Sequence, residues 1–450
     1  GGVMKCFLAK VIILLALALV AVSGNAQHLS GNDNEFAASS QFSAEIPGMR
    51  RQMAERELRF DSGSTSAQIT LPDGSQLRFQ PIDVDVNAGI KSVRGKSGDS
   101  SILLTTDGVR AFGYVLHDGR KYVVDTENRV VTISDSSVLS RPSNLPEGWG
   151  DDFIVNNELI LERLQRIALK TTTVADEHPP STVDIAIFYD QEIADRFGTQ
   201  NPRTRAQAAV DFTNAAIANH NGALELRLVY VGPLATPLVG DPWQTFASDT
   251  EKWTVATDYG ADLLHYIYTY GGESYCGRAQ LPGDIGVSGC GIETIAHEIG
   301  HNLGLHHDRP NASYIGTPYA DYNYGYICGN FGTLMAYWNP SVPHYSSPLL
   351  QNGGENCGVE IGQPDAAYNG AVFELTRADT ENIRSPPPTV GNVWIDSSGP
   401  VLIDETDADL SLVVTVMRDG NLDEAASGEI GAMETSATSG FDFVDVIERL

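Results

Sequence analysis

Residues 297–308 read His-Glu-Ile-Gly-His-Asn-Leu-Gly-Leu-His-His-Asp, the pattern H-E-x-x-H-x-x-G-x-x-H-D. On a helix, His297 and His301 stand about one turn apart and face the same way. Glu298 lies beside them and can reach a water on a metal without ligating it. Gly304 falls where the helix must end, and a residue without Cβ can turn sharply there. That turn brings His307 round as a third ligand. Three protein ligands leave one zinc position open, which marks a catalytic site rather than a structural one. The competing explanation is a helix that carries histidines by chance. Five specified positions at fixed spacing argue against it.

The chemistry follows from the ligands. Zinc lowers the pKa of a bound water to roughly 7. Glu298 is placed to take that proton and pass it to a leaving amine. The reaction implied is hydrolysis of an internal peptide bond, with proteins or peptides as substrates.

A second segment adds to the first. Gly332-Thr333-Leu334-Met335-Ala336-Tyr337-Trp338 is followed by Tyr345-Ser346-Ser347-Pro348. Together with the zinc helix, these residues resemble the metzincin metallopeptidases. Met335 matches the Met-turn, an apolar floor beneath the metal. Asp308 after the third histidine resembles the adamalysin/reprolysin-like branch, including its bacterial members, and implies a structural role orienting the turn after the helix. The Met-x-Tyr spelling also occurs in astacins and serralysins, where the tyrosine reaches the zinc region. Tyr337 is therefore a candidate catalytic residue, with a purely structural tyrosine as the alternative. His306 breaks the ligand spacing and reads as a surface or substrate-cleft residue. The resemblance is specific from about residue 284 to 348 and extends more loosely back to about 183.

The N-terminus suggests a compartment. Lys5 and Lys10 flank the start of a short apolar run, Val11 to Val22, and Gly24-Asn25-Ala26 follow. Residues 4–26 thus read as a secretory signal peptide. The run is short for a membrane span, and no other stretch competes, so no integral membrane segment is expected after its removal. Cysteine usage agrees. Cys6 leaves with the signal, and Cys276, Cys290, Cys328 and Cys357 remain, an even number in a secreted chain. Sequential pairing, Cys276–Cys290 and Cys328–Cys357, is the simplest of three connectivities. Each bridge would contribute on the order of 3–4 kcal/mol.

Net charge is −29. That sets nucleic acid aside as a default partner and favours solubility. The acidity is uneven. Residues 386–450 hold 13 acidic and 2 basic side chains. They are either simply solvated or offer carboxylates to Ca2+.

Residues 27–178 read as a pro-region. Its start is polar, and short β-like runs follow. Leu71-Pro72-Asp73-Gly74-Ser75 is a turn between two of them, and Asp118-Gly119 is a hairpin signal. A linking helix is expected over 159–169. Thr171 to Pro180 reads as a polar linker suited to processing. No cysteine lies between Cys6 and Cys276. Latency through a pro-region thiolate, used by several metzincins, is therefore impossible. An Asp or Glu oxygen, or occupation of the substrate edge strand, would have to serve in this zymogen.

Residues 179–385 read as the peptidase domain. Val183–Tyr189 is a buried strand, and Pro202–His220 an alanine-rich helix with Asn201 as N-cap. Leu224–Val231 is a second strand, 249–256 a short helix, and Leu263–Tyr268 a third strand. This order before a zinc helix gives an α/β (α+β) fold with a mixed twisted sheet. The segment 275–289 should supply the edge strand beside the cleft. His265 alternates with apolar neighbours and reads as a satisfied core histidine. Beyond Pro386-Pro387-Pro388, residues 386–450 loosely resemble the first half of a Calx-β domain, a β-sandwich. The expectation is that the sandwich is partial and that residue 450 is not the natural end.

Two functions compete. One is a secreted, extracellular zinc endopeptidase. The other is a secreted binding or adhesion protein with a degenerate protease domain. Intact His297, Glu298, His301, Gly304, His307 and Met335 favour the first.

Overall fold

The computed structural model describes residues 49–54, 57, 67–87, 89–127, 130–136, 152–156, 159–160, 181–198, 200–220, 223–235, 239–269, 275–312, 320–337, 340–381 and 383–384, and four short strands beyond them. The signal peptide, the linker at 171–180 and most of the expected linking helix lie outside these residues. Residues 45–386 form one compact unit. The second unit is described only at Val393–Asp396, which pairs antiparallel with Thr415–Arg418, and at Glu429–Ile430, which pairs with Glu448–Arg449. The partial β-sandwich therefore falls largely outside the described residues.

The first half of the larger unit is an antiparallel sheet. Its strands are β1 (Arg50–Gln52), β2 (Ala67–Thr70), β3 (Gln76–Asn87), β4 (Ile90–Ser97), β5 (Ser100–Thr106), β6 (Ala111–His117), β7 (Arg120–Glu127) and β8 (Val130–Asp135). Their spatial order is β1-β8-β7-β6-β5-β4-β3-β2. Short turns join most neighbours, including the predicted ones at Pro72–Gly74 and Asp118–Gly119.

Period-two alternation gives this sheet two buried faces. Ile102, Leu104 and Val115 join Ile69, Phe79 and Val93 in the sheet's own core. Leu103, Phe112 and Tyr114 point the other way, into the core of the second half. A sheet with one solvated face would leave those three positions polar. Their apolar character is why this sheet packs on the second half.

The second half begins with β9 (Phe153–Val155) and β10 (Ser181–Tyr189). Next come α1 (Gln191–Phe197), α2 (Gln200–Ala218), β11 (Leu224–Pro233), α3 (Pro242–Ser248), α4 (Glu251–Tyr259) and β12 (Leu263–Ile267). The series continues with β13 (Gly277–Leu281), β14 (Ile285–Ser288) and α5 (Ile292–Asn302). The sheet order is β11-β10-β12-β14-β13-β9. β10, β11, β12 and β14 run parallel, and β13 runs antiparallel to β14. The mixed α/β sheet matches the expectation. β9 does not: it precedes the residues expected to form the peptidase domain and adds a sixth strand, parallel to β13.

Two helix boundaries differ from the sequence reading. α2 starts at Gln200, so Asn201 lies inside it rather than capping it. Pro202 still falls in the first turn, where its missing N–H costs nothing. The helix expected at 249–256 runs over Glu251–Tyr259, and a further helix, α3, precedes it. α3 is capped by Asp241, whose carboxylate accepts from Gln244 N, and α4 ends at Gly260 in the left-handed region.

Beyond α5 the chain forms two small hairpins, β15 (Ile327–Cys328) with β16 (Phe331–Gly332) and β17 (Ser347–Asn352) with β18 (Glu355–Cys357). Helix α6 (Asn369–Thr380) follows. Disulfides join Cys276 to Cys290 and Cys328 to Cys357. The first ties the start of β13 to the start of α5. The second ties the two hairpins that flank the Met335 turn.

Candidate active site

α5 is buried along almost its whole length. It presents His297 and His301 from one face and ends at Leu303. Gly304 takes φ +93°, a left-handed conformation that a side chain would strain. The chain then turns back, with Leu305 N donating to Gly300 O at 2.9 Å. That reversal places His307 Nε2 3.0 Å from His301 Nε2 and 3.2 Å from His297 Nε2.

The outer ring nitrogens fix the chemistry of the inner ones. His297 Nδ1 lies 2.7 Å from Leu334 O, and His301 Nδ1 lies 2.8 Å from Leu305 O. A carbonyl only accepts, so both Nδ1 atoms carry the proton and both Nε2 atoms present lone pairs inward. Burial pushes His301 down to about 4, which keeps its ring neutral near pH 7. Neutral imidazole is the form that binds zinc.

A fourth donor comes from outside the motif. Asp152 Oδ1 lies 2.8 Å from His307 Nε2 and 3.3 Å from His301 Nε2, and its Oδ2 lies 3.3 Å from His297 Nε2. Among the described residues this is the group of His, Cys, Asp and Glu placed to hold a metal ion. Burial acts to raise the Asp152 carboxyl. The neighbouring imidazoles, His307 foremost, overcome it and hold the carboxyl well below the usual carboxylate range. Inward lone pairs and a carboxylate would repel one another without a cation between them. Three imidazoles and one carboxylate are a donor set that zinc accepts. The residues fit the metal that the sequence pattern implies.

The Asp152 backbone is held as firmly as its side chain. Ala279 N donates to Asp152 O at 2.9 Å, and Asn156 N donates to Leu281 O at 2.9 Å. Phe153 packs its ring against those of His301, His306 and His307 at 4.9–5.3 Å. Residues 152–155 therefore lie both against the three histidines and along the edge strand β13.

Glu298 is 1% exposed and lies beneath the start of β13. A Cβ built on Gly277 would stand 2.7 Å from Glu298 Cδ and Cγ. Only glycine allows the carboxylate to sit so close to the strand on which a substrate would lie.

The turn around Met335 supports the helix from below. Met335 and Tyr345 pack against Gly300, between the two ligand histidines, leaving no room there for a side chain. Tyr345 donates its hydroxyl to Ala296 O at 2.9 Å. Asp308 accepts from Tyr337 N at 2.8 Å and from Asn311 Nδ2 at 2.7 Å, so it joins the ligand turn to the Met335 turn. The Tyr337 ring lies 3.9 Å from that of His307 and stacks on His297 at 6.0 Å.

His306 is not on the surface. It is 7% exposed, stacked on Tyr324 and packed against Phe153. The extended residues after Gly304 turn it inward, a direction its offset from the ligand spacing does not reveal. His265 lies buried in β12 with Nε2 2.9 Å from Ser288 Oγ. Burial pushes it to about 3, in keeping with a neutral core histidine.

Sequence reasoning required an oxygen donor or edge-strand occupation without naming either. The signal was present: Asp151-Asp152 precede the β-like run Phe153-Ile154-Val155 inside a cysteine-free pro-region. Sequence alone does not separate that pair from the pro-region's other acidic residues.

Three histidines that could hold a metal, two on a helix and one beyond its glycine turn, with a methionine turn beneath, are the arrangement of a metallopeptidase type of centre. Residues 179–346 match the family model Reprolysin_5, Metallo-peptidase family M12. The chain carries a metzincin-like metallopeptidase domain. It is 27% identical over 236 residues to the peptidyl-Asp metalloendopeptidase of Pseudomonas aeruginosa, a match covering 43% of this chain and 39% of that protein. The match therefore spans about two fifths of that relative's length. Two solved chains also resemble it. One, described as the structure of a chaperone-substrate complex, matches with TM-score 0.40 and 19% identity over 61% of this chain and 44% of its own. The other, metalloproteinase-II from Bacteroides fragilis, matches with TM-score 0.39 and 14% identity over 63% and 89%.

Proposed function

We propose that this protein is a secreted zinc endopeptidase made as a latent precursor. The observation that carries the reading is the convergence of His297, His301 and His307, with Nδ1 of the first two tied to carbonyls and Glu298 buried beside them. Zinc bound there would polarise the scissile carbonyl and acidify water. The three histidines hold the metal. Glu298 takes the proton from the attacking water and returns it to the leaving amine. Tyr337, against two ligand rings, orients them and borders the substrate carbonyl. β13 receives the substrate backbone as an added strand.

Latency follows from Asp152 and β9. With zinc held by the three histidines, the Asp152 carboxylate would stand where a water is needed, and β9 covers β13. β9 runs parallel to β13, whereas antiparallel pairing is the more stable ladder for a substrate. A reversed strand presents its peptide bonds in the wrong sense for attack. Cutting within 171–180 frees the precursor. The signal at 4–26 and the two disulfides favour export. Calcium, if bound, belongs to the acidic residues beyond 386.

An Asp preference, as in the name of the Pseudomonas aeruginosa relative, is not carried over. The charged residue one turn before His297 is Glu293, which would repel an aspartyl side chain. The test of the reading is direct. Purified processed protein should contain one zinc and hydrolyse casein, and a chelator should stop it. A metal-free protein without peptidase activity would instead favour a degenerate binding module.

A further inference from the structure

A partly buried ion pair joins the pro-region to the active-site helix one turn before its first ligand. Lys121 on β7 is 3% exposed. Its Nζ donates to Glu293 Oε1 at 2.6 Å and to Ser341 Oγ at 2.8 Å. Ser341 Oγ donates to Glu293 Oε2 at 2.9 Å, which aims the carboxylate. Both partners of Lys121 belong to the peptidase half.

Their positions place this socket in the cleft. Glu293 precedes His297 by four residues on α5, so the two side chains share a face with Cβ atoms about 6 Å apart. Ser341 lies just past the Met335 turn. It is held there by a bridge to Gly332 and by Val342 N donating to Gly332 O at 2.7 Å. One wall is thus the zinc helix and the other is the segment that follows its floor. A contact needed only for docking could sit anywhere on the interface. This one lies within the reach of a single extended residue, about 3.3 Å of backbone plus a side chain, from the ligands.

The side of the cleft is also fixed. α5 begins next to Cys290, which is bonded to Cys276 beside Gly277. Glu293 therefore belongs to the Gly277 end of β13, while Phe153 and Val155 occupy the stretch from Ala279 to Leu281. A substrate antiparallel to β13 passes from Leu281 towards Gly277. What it presents near Glu293 follows the scissile bond.

We infer that Glu293 and Ser341 form the pocket for the side chain immediately after the scissile bond, that this pocket takes Lys or Arg, and that Lys121 fills it in the precursor. The inference rests on the endopeptidase reading above. When the pro-region departs, a carboxylate already oriented by Ser341 faces the opening. A long cationic side chain restores its pairing. An acidic side chain would meet like charge.

The test uses the full chain, zinc-loaded and cut at the linker, on three peptides differing only in the residue after the bond: Lys, Leu and Asp. The expected kcat/KM ratio of Lys to Asp is roughly tenfold or more. Glu293→Gln should reduce it to about threefold or less, and Glu293→Arg should invert it. Each ratio is taken within one variant, so a loss of folded protein cancels. No preference for the cationic residue, or a ratio that survives Glu293→Gln, overturns the inference and leaves the peptidase reading intact. Failure to cut any peptide removes the peptidase reading instead.

The pocket is therefore also read without catalysis. In the uncut precursor, Lys121→Ala empties the socket. It should then bind n-butylamine saturably, as followed by calorimetry. The unchanged precursor and the Lys121→Ala/Glu293→Gln double variant should not. Absence of amine binding to Lys121→Ala overturns the inference whatever the enzyme does.

Discussion

Asp152 Oδ1 lies 2.8 Å from His307 Nε2, so a pro-region carboxylate completes a cluster whose other members all come from one twelve-residue motif. The contact is not isolated. The carbonyl oxygen of the same residue accepts from Ala279 N, and the next residue covers three histidine rings. Backbone and side chain act together. The ladder with β13 sets the depth at which the carboxylate enters, and the carboxylate anchors a strand of only three residues that would be marginal alone.

Asp152→Ala tests that coupling. In a precursor whose linker has been made uncleavable, it should raise peptidase activity about tenfold or more, because the open metal position becomes available to water. β9 would still cover the cleft, so activity should stay below that of the processed form. Thiol-modifying reagents should have no effect on either precursor. Activity equal to that of the unchanged precursor would show that the strand alone enforces latency.

Glu298→Gln separates metal binding from turnover. The amide keeps the size of the side chain and loses its basicity. Zinc content measured by emission spectroscopy should stay at one per chain. The turnover number should fall by about 10²–10⁴-fold, the usual range for lost acid–base catalysis. Retention of peptidase activity would exclude Glu298 as the proton carrier.

The site was more legible in the sequence than its occupancy. His297, Glu298, His301, Gly304 and His307 lie within one local segment, where helix periodicity and one glycine dictate geometry. Met335 and the sequential disulfides are also short-range features, and the structure places them where the spacing suggests. Asp152, Lys121 and Glu293 were not singled out. Each owes its role to a partner far along the chain, and no local period records such a pairing. The same limit explains β9. Three residues carry too little pattern to announce a strand, and its place at the edge of another domain's sheet is decided by tertiary pairing. His306 reads from its spacing as a surface or substrate-cleft residue, and only the surface alternative fails, because Tyr324 and Phe153 bury the ring.

Gly277 offers a test of the edge strand that removes no charged group. An added Cβ would stand 2.7 Å from Glu298 Cδ. Glu298 would have to swing away, since β13 is held by its ladder with β14. Gly277→Ala should lower kcat by about 10²-fold, the cost of misplacing a catalytic group by roughly 1 Å. Zinc content and far-ultraviolet circular dichroism should not change. Full activity would mean that Glu298 works from a position other than the one beneath β13.

Asp211 should make the hold on the pro-region depend on pH. It lies on α2 and accepts from Thr105 Oγ1 at 2.6 Å, from Ser92 Oγ, and from Gln207 Nε2 at 2.9 Å. Burial against the pro-region pushes its carboxyl above the ordinary value, although these hydrogen bonds and the charge of Arg94 act to lower it. A carboxyl whose pKa rises on association is bound better protonated. Its contribution is fully present below the ordinary carboxylate value and is lost as pH rises through the elevated one. Asp152 has the opposite sign, because its pKa is depressed and its contribution fails only in stronger acid. After the linker is cut, the pro-region should therefore dissociate faster as pH is raised from about 4.5 towards 7, in a window above the ordinary carboxylate pKa of about 4. Asp211→Asn keeps an acceptor for Ser92 and Thr105 but cannot ionise, so its dissociation rate should be flatter across the same range. Stopped-flow release of a fluorescently tagged pro-region would measure both rates. Identical pH profiles for the two proteins would remove Asp211 from the account.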